Sequence, residues 1–385
     1  MQAAVILFAV FAATIANAAV FATLGLFGRE VGLGEFEVGV IFASSGLLFV
    51  VTASSWGRLS DRFGRTRVIV LGLVATTLSL ALFAGFYLAR WPYVFLGLLA
   101  ARIVYGLFAG GIQPTAIAWI VDATPRGRRG IGIASVGAAA SLGSVLGPAL
   151  TAMLVGLGLA WPVIAGGVVA ALAALAITGV AEPPRPAAMA QASNAPVDGL
   201  AGCALLSFVM VLGFGALQPT TAFYVQDRFG AETVAAIRIA GFAGASFATG
   251  AFLMQSVGVR VLALAARDLM LLGFVICVAG VAGALMAEGA VMLIATFAIL
   301  GVGYGLAQAG LMTEAARLGG ERRQGLVAGR LQAAMAAGWI TGALGGTALY
   351  GLSMRAPLLI ASGALAFCAI RTALPPVRTP SAPPP

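Results

Sequence analysis

The chain contains no lysine and no histidine, and only 9% of its 385 residues are charged. Without histidine there is no imidazole to move protons near neutrality or to ligate a metal. Cysteine is scarce: Cys203, Cys277 and Cys368 lie singly inside apolar runs, without the close pairing that a metal site or redox dithiol needs. They read as small core residues. No acid pair and no nucleophile–base constellation stands out, so the expectation is a non-enzyme with neither metal nor cofactor. All thirteen acids sit at or near the ends of apolar runs, which leaves the interiors of those runs free of negative charge.

What is present is hydrophobic. Apolar residues make up 61% of the chain and mean hydropathy is +1.04, so most of it must face lipid or other apolar helices. Six spans are expected near 4–27, 36–56, 68–89, 93–120, 130–155 and 160–181, within an N-terminal bundle of residues 1–181. The Ala16-Asn17-Ala18 sequence superficially resembles a signal-peptidase site. Without a basic stretch before it, and with equally long apolar runs following, 4–27 reads as a span. The Pro/Ala-rich stretch 182–198 is too polar to cross and reads as a linker. Six more spans near 199–223, 234–256, 268–287, 290–313, 325–350 and 355–374 form a C-terminal bundle, 199–374, followed by a Pro-rich tail, 375–385, expected to be disordered. The fold class is an all-α membrane protein.

All 22 basic residues are arginine. Fifteen fall in one alternate set of connections and the C-terminal end, four in the other set (Arg29, Arg90, Arg228, Arg355), and Arg102, Arg238 and Arg330 lie inside spans. The positive-inside rule places both termini, the linker and the stretch from Trp56 to Arg67 in the cytoplasm of an inner-membrane protein. Basicity therefore records topology, and no nucleic-acid partner is expected.

The two halves repeat at a constant offset of 195 residues: Glu37 falls on Glu232, Gly46 on Gly241, Gly106 on Gly301, Gly110 on Gly305, Gln113 on Gln308, Gly130 on Gly325, Gly143 on Gly338 and Gly147 on Gly342. A parallel repeat of six-helix halves implies a pseudo-two-fold axis along the membrane normal, with a substrate path between the halves.

The densest charge cluster is WGRLSDRFGRTR, Trp56 to Arg67, between the second and third spans. Within it, Gly57-x-Leu59-x-Asp61-Arg62-x-Gly64-Arg65 resembles the signature of the major facilitator superfamily. Arg102 to Gly110 (RIVYGLFAG) resembles the fourth-helix motif of the drug:proton antiporters, with Tyr105 where that motif usually has Gln. Gly143-x-x-x-Gly147-Pro148 resembles their fifth-helix motif, with Thr151 and Ala152 in place of its trailing glycine pair. The resemblance implies a twelve-helix major facilitator fold working by alternating access, and a proton-driven exporter of small amphipathic or drug-like compounds. A carrier of one specific metabolite is the alternative, and a transport-dead sensor a weaker one. It also implies that Asp61 faces the N-terminus of the eleventh helix, at the amides near Gln324 to Leu326, while the arginines pair with Asp122. Gly57, Asp61, Arg62, Gly64, Arg65 and Asp122 then form a conformational latch.

In physical terms, Gly57 and Gly64 permit tight turns, and a carboxylate at a helix N-terminus contributes about 0.3–1 kcal/mol, up to ~2 when partly buried. A solvated basic loop is the plainer reading. The equivalent stretch from Phe252 has no acid, so the latch is one-sided.

Arg102 is the most expensive residue, since an arginine inside a span costs about 2.5–3.5 kcal/mol to insert and normally faces a cavity or a partner. Arg102, Gly106, Ala109 and Gln113 recur at helical spacing on one face. Gln113 and Gln308 are expected to project toward the central path, with Asn17 and Gln218 adding polar groups from the first and seventh helices. Each amide serves equally well as interhelical glue. Gly143, Gly147 and Pro148, with Gly241, Gly244 and Gly250, read as surfaces on which the halves rock. For coupling, the first helix offers only Asn17, so a proton must use an acid at a span end. Asp122 and Glu314 are best placed, with Arg330 and Arg102 as the nearby cations and Glu37 and Glu232 next in line. The expected partners are a small-molecule substrate, protons and membrane lipid, with the protein a monomer.

Overall fold

A computed structural model describes residues 2–125, 128–183, 197, 199–320 and 323–374. The tail and all of the linker except 182, 183 and 197 lie outside those residues. In lipid every backbone donor and acceptor must find a partner inside its own segment or a closed barrel, and the long apolar runs satisfy this as helices.

The first half comprises α1 (Gln2–Glu30), α2 (Glu35–Phe63), α3 (Arg65–Leu88), α4 (Val94–Ala109), α5 (Ile112–Ala123), α6 (Arg129–Leu154) and α7 (Trp161–Ile177). The second comprises α8 (Leu200–Phe229), α9 (Thr233–Leu253), α10 (Val259–Leu262), α11 (Ala266–Leu285), α12 (Ala290–Gly319), α13 (Gln324–Tyr350) and α14 (Ala356–Ala373). Among the described residues, ten helical stretches are long and apolar enough to cross a membrane. Of the other two spans, α7 is apolar but only 17 residues long, and α13, at 27 residues, is diluted by glycine and alanine.

Two spans depart from the sequence expectation of unbroken helices. The fourth divides into α4 and α5 at Gly110–Gly111, where a glycine pair is followed by Pro114 in the first turn of α5. Proline lacks a donor and is tolerated there, whereas deeper in a continuous helix it would break an i→i−4 bond. The eighth passes from α9 through a π-helical turn, Met254–Gly258, into the short α10, which ends at Ala263 in a left-handed conformation (φ 48°).

The internal repeat is visible as packing. Gly106 and Gly110 of α4 lie against the backbone of Ser45 and Phe49 in α2, and their mates Gly301 and Gly305 of α12 lie against Phe247 and Ala251 in α9. Gly143 and Gly147 of α6 lie against Phe11, Thr14, Ile15 and Ala18 of α1, as Gly338 and Gly342 of α13 lie against Phe208 and Leu212 of α8. Lipid is as apolar as leucine, so helices associate by close packing, and glycine lets backbones approach. Gly143 and Gly147 therefore bind α6 to α1 within one half, and Gly250 packs on α12 within the other. The expectation that they form the surface between the halves is corrected.

The halves meet mainly along α1 with α8, α2 with α13, and α6 with α9, with lesser contacts of α1 with α9 and α2 with α8. The contacts fall toward the end remote from the chain termini. Gly25 faces Pro219 and Phe223, Gly39 faces Thr347, Gly46 faces Ile340, and Gly241 and Gly244 face Pro148. At the terminal end, a methyl group added at Gly57, Gly130, Gly137 or Gly329 would meet nothing within 4 Å, and Ile131 is largely exposed. The molecule is thus closed at one end and parted at the other.

Candidate functional site

Where the halves part, they enclose a central cavity of about 410 Å³. Its wall is mostly apolar and aromatic, with Phe21, Phe214, Phe247, Phe297, Tyr304 and Trp339, and its amides are Asn17 and Gln218. A second lobe of about 190 Å³ shares Asn17, Phe21 and Trp339 with it and reaches Ser45, Arg102 and Tyr105. Among the described residues, no acid lines either lobe.

Of the residues expected at the substrate path, Asn17, Gln218 and Arg102 lie on these walls, and Gln113 and Gln308 do not. Gln113 sits beyond the Gly110–Gly111 break, in the first turn of α5, and it is exposed. Gln308 donates from Nε2 to Met335 Sδ at 3.5 Å, tying α12 to α13.

Arg102 is 1% exposed. Its Nη2 donates to Asn17 Oδ1 at 3.1 Å and Ser45 Oγ at 2.9 Å. The guanidinium carbon lies 4.4 Å from the centre of the Tyr105 ring and 5.7 Å from that of Phe21. Three helices of the first half thus converge on one cation.

At the terminal end, Arg65 Nε donates to Asp122 Oδ2 at 2.5 Å, and Arg65 Nη2 lies 3.4 Å from Asp61. Asp122 is only 6% exposed, whereas Asp61 is 66% exposed. Glu182, assigned to the linker by composition, accepts the backbone N–H groups of Arg65 and Thr66 at 3.0 and 2.8 Å and so caps α3. Gly64 turns the chain between α2 and α3 with φ +105°, a conformation glycine adopts freely, and a side chain there would also strike Glu182. Arg62 is exposed. Among the described residues, the partners in this cluster lie on α2, α3 and α5 and at Glu182. The α13 seat expected for Asp61 is not closed, since Gly57 and Gly329 stand in open space. Gly57→Ala is therefore expected to leave thermal stability in this conformation within about 0.5 kcal/mol of the parent, while slowing transport if α13 closes on α2 in the opposite state. Unchanged transport would show that no such closure uses Gly57.

Glu314 pairs with Arg317 three residues on, at 2.6 Å. Arg330, expected as its neighbouring cation, is exposed on α13, so the local Arg317 replaces it.

The closed end holds a cluster that the sequence reading missed. Arg29, at the end of α1, donates from Nη1 to Gln226 Oε1 (2.9 Å) and Asp227 Oδ1 (2.7 Å), and from Nη2 to Asp227 Oδ2 (2.8 Å) and Glu35 Oε1 (2.7 Å). Its guanidinium stands 4.4 Å from the Phe223 ring centre. The hydroxyl of Tyr350, at the end of α13, donates to Asp227 Oδ2 at 2.7 Å. One carboxylate thereby joins α1, α8 and α13 across the two halves. Nearby, Arg238 of α9 donates to the carbonyl of Ala152 on α6 at 3.3 Å. The legible signal was complementary charge at the same end of the first and seventh spans.

The family model described as "Major Facilitator Superfamily" matches residues 6–237. Among curated proteins, the chain is 29% identical over 150 residues to "Multidrug resistance protein 2" of Bacillus subtilis (strain 168), covering 39% of this chain and 36% of that protein. It is 30% identical over 132 residues to "Multidrug resistance protein MdtG" of Dickeya zeae (strain Ech586), covering 33% and 31%. The match thus spans about a third of each relative's length. Among solved structures, a bacterial homolog of the human lysosomal transporter Spinster, in an inward-facing and unoccupied conformation, superposes with a TM-score of 0.78 at 15% identity, over 96% of this chain and 95% of that one. A D-xylose-proton symporter superposes with a TM-score of 0.73 at 13% identity, over 96% and 97%. At such identities the likeness is one of fold.

Proposed function

Since the chain belongs to the Major Facilitator Superfamily and is a membrane transporter rather than an enzyme, we propose that it is a proton-coupled exporter of small amphipathic compounds. The observation that carries this reading is the central cavity, aromatic, closed at one end by the Arg29–Asp227 cluster and open at the other. With the arginine-rich connections in the cytoplasm, the conformation is inward-facing and loads from inside the cell. An apolar wall with two amides suits compounds held by shape and burial more than by a fixed set of hydrogen bonds. The multidrug relatives point the same way. The protein works in the inner membrane as a monomer, in contact with lipid, with both termini cytoplasmic.

Alternating access follows from the seams. Pro148 packs against Gly241 and Gly244 where α6 crosses α9, and small residues there let the halves rock without moving bulky side chains. Opening the closed end releases the Asp227 carboxylate from Arg29, while Tyr350, in the same half as Asp227, stays with it. Closing the other brings α13 toward Asp61 and completes the latch whose first-half side, Arg65–Asp122, is already made.

Coupling falls to Asp122 and Glu314, the terminal-end acids of the fourth and tenth spans. In proteoliposomes with an imposed pH gradient, Asp122→Asn combined with Glu314→Gln is expected to abolish accumulation of a transported dye while leaving downhill exchange within about threefold of the parent, less than 1 kcal/mol. Accumulation that persists in the double variant rejects the assignment and moves it to Asp227, the acid shared between the halves. Glu37 and Glu232 are weaker claimants: Glu37 accepts the Gly34 N–H at 2.8 Å within its own helix start, and Glu232 occupies the N-cap position of α9.

A further inference from the structure

Arg102 is a charge without a counter-charge. A guanidinium carries five N–H donors and stays ionised in proteins. Here Nη2 meets two neutral acceptors, and Nε and Nη1 find no acceptor among the described residues. No carboxylate among them pairs with it. A buried cation in this condition carries a heavy desolvation cost, which aromatic faces and neutral oxygens offset only in part. A merely structural arginine in a membrane is better placed beside an acid, and nothing in the packing of α1, α2 and α4 requires a positive charge rather than a neutral donor.

The position of the unmet charge says what it meets. Arg102 lines the smaller lobe, which borders the aromatic cavity and shares Asn17, Phe21 and Trp339 with it. An anionic oxygen entering that lobe supplies the missing charge together with an acceptor for a free N–H, while an apolar body of suitable size occupies the larger lobe. A cationic compound there would face Arg102 with no acid among the described lining residues to replace its water, and the nearby Phe21 ring already faces the guanidinium.

We propose that the cavity takes amphiphiles with an anionic head, the head seated on Arg102 and the apolar body held among Phe214, Phe247, Phe297, Tyr304 and Trp339. This rests on the transporter reading above and names the substrate class of that same site. Asn17, which accepts from Nη2, orients the guanidinium and borders both lobes.

The test uses the full chain in lipid nanodiscs and three compounds that share a body and differ in charge: naphthyl-butanoate, naphthyl-butanol and naphthyl-butylamine. The butanoate is expected to bind at least about tenfold more tightly than the amine. Arg102→Gln is expected to lose that preference while binding the neutral alcohol within about threefold of the parent, which also shows that the variant is folded. Asn17→Asp places a carboxylate beside Nη2 and satisfies the cation internally, so it is expected to abolish butanoate binding while raising thermal stability. An alkyl phosphate with the same apolar length separates two sources of the anion: tighter binding than the butanoate indicates a lipid phosphate, weaker binding a soluble carboxylate. Equal or tighter binding of the amine, or a charge preference unchanged in Arg102→Gln, overturns the inference while leaving an amphiphile exporter intact. Failure of all three naphthyl compounds to bind overturns both.

Discussion

Replacing Arg29 with alanine is expected to unseal the closed end of the transporter. Arg29 makes ion pairs with Asp227 at 2.7 Å and Glu35 at 2.7 Å, and stacks over Phe223. Arg29, Asp227 and Glu35 are partly exposed, so each pair is discounted to roughly 0.5–1 kcal/mol, with a similar amount for the ring. The Glu35 pair lies within the first half and persists on opening, so the contacts that hold the seam, Asp227 and the Phe223 ring, sum to about 1.5 kcal/mol, enough to shift a two-state equilibrium roughly tenfold. The loss is compounded because Glu35 and Asp227 are then left unneutralised on the two sides of the seam. The measurement is the rate at which a membrane-impermeant thiol reagent, added on the closed side, modifies Ala22→Cys on the cavity wall. The three native cysteines are buried and give little background. Arg29→Ala is expected to raise that rate at least about tenfold. Glu35→Gln, which removes a partner within the same half and leaves Asp227 in place, is expected to raise it much less. A rate unchanged by Arg29→Ala would show that packing alone seals this end.

The second large effect concerns glycines of opposite sign. In an exposed helix, alanine is more favourable than glycine by up to about 1 kcal/mol. Gly202 of α8 has nothing within 4 Å of an added methyl, so Gly202→Ala is expected to raise thermal stability slightly. Gly301 of α12 is different, because a methyl there would run into the Phe247 carbonyl, which is backbone and cannot rotate away. The helices α9 and α12 must then separate, at a cost of about 3 kcal/mol and a large loss of folded yield. Gly106→Ala, its repeat mate, meets Ser45 O at 2.7 Å and is expected to behave the same way. Thermal unfolding in one detergent orders the three variants, and a Gly301→Ala protein as stable as Gly202→Ala would break the packing argument.

Much of this was legible in the chain. Twelve spans follow from hydrophobic runs, because lipid leaves the backbone few alternatives, and the 195-residue repeat marked the glycines at which α4 and α12 approach their neighbours. The pairing of the arginines with Asp122 is what the resemblance of the polar stretch implies, Arg102 stands out by its cost inside an apolar run, and Asn17 and Gln218 stand out as polar groups in the first and seventh spans. The break at Gly110–Gly111 has a local signature, a glycine pair followed by Pro114, and Gln113 lies just beyond it. Gly143 and Gly147 were assigned to the wrong surface because a small residue signals a close neighbour without saying which helix supplies it. Arg29 and Asp227 were passed over because, counted one connection at a time, they were charges in loops. Their meeting depends on which ends of the two halves are closed, which no periodicity encodes. Glu182 was hidden by its setting among prolines and alanines.

The solitary charge of Arg102 also ties the transporter to the membrane potential. In the observed conformation the path from the cavity is open at the terminal end, so most of the transmembrane field drops across the sealed end, and Arg102 sits near the potential of the compartment it faces. When the halves rock, the sealed region moves to the other side and the same side chain joins the opposite potential, so one elementary charge crosses the field with hardly any displacement. That transfer is worth up to ~2.3 kcal/mol per 100 mV. In the proposed orientation, with the termini in a negatively polarised cytoplasm, an empty carrier is held open toward the cell interior. An occupant that neutralises Arg102 removes the bias, so a polarised membrane acts as a brake on the unloaded protein and releases it once cargo is aboard.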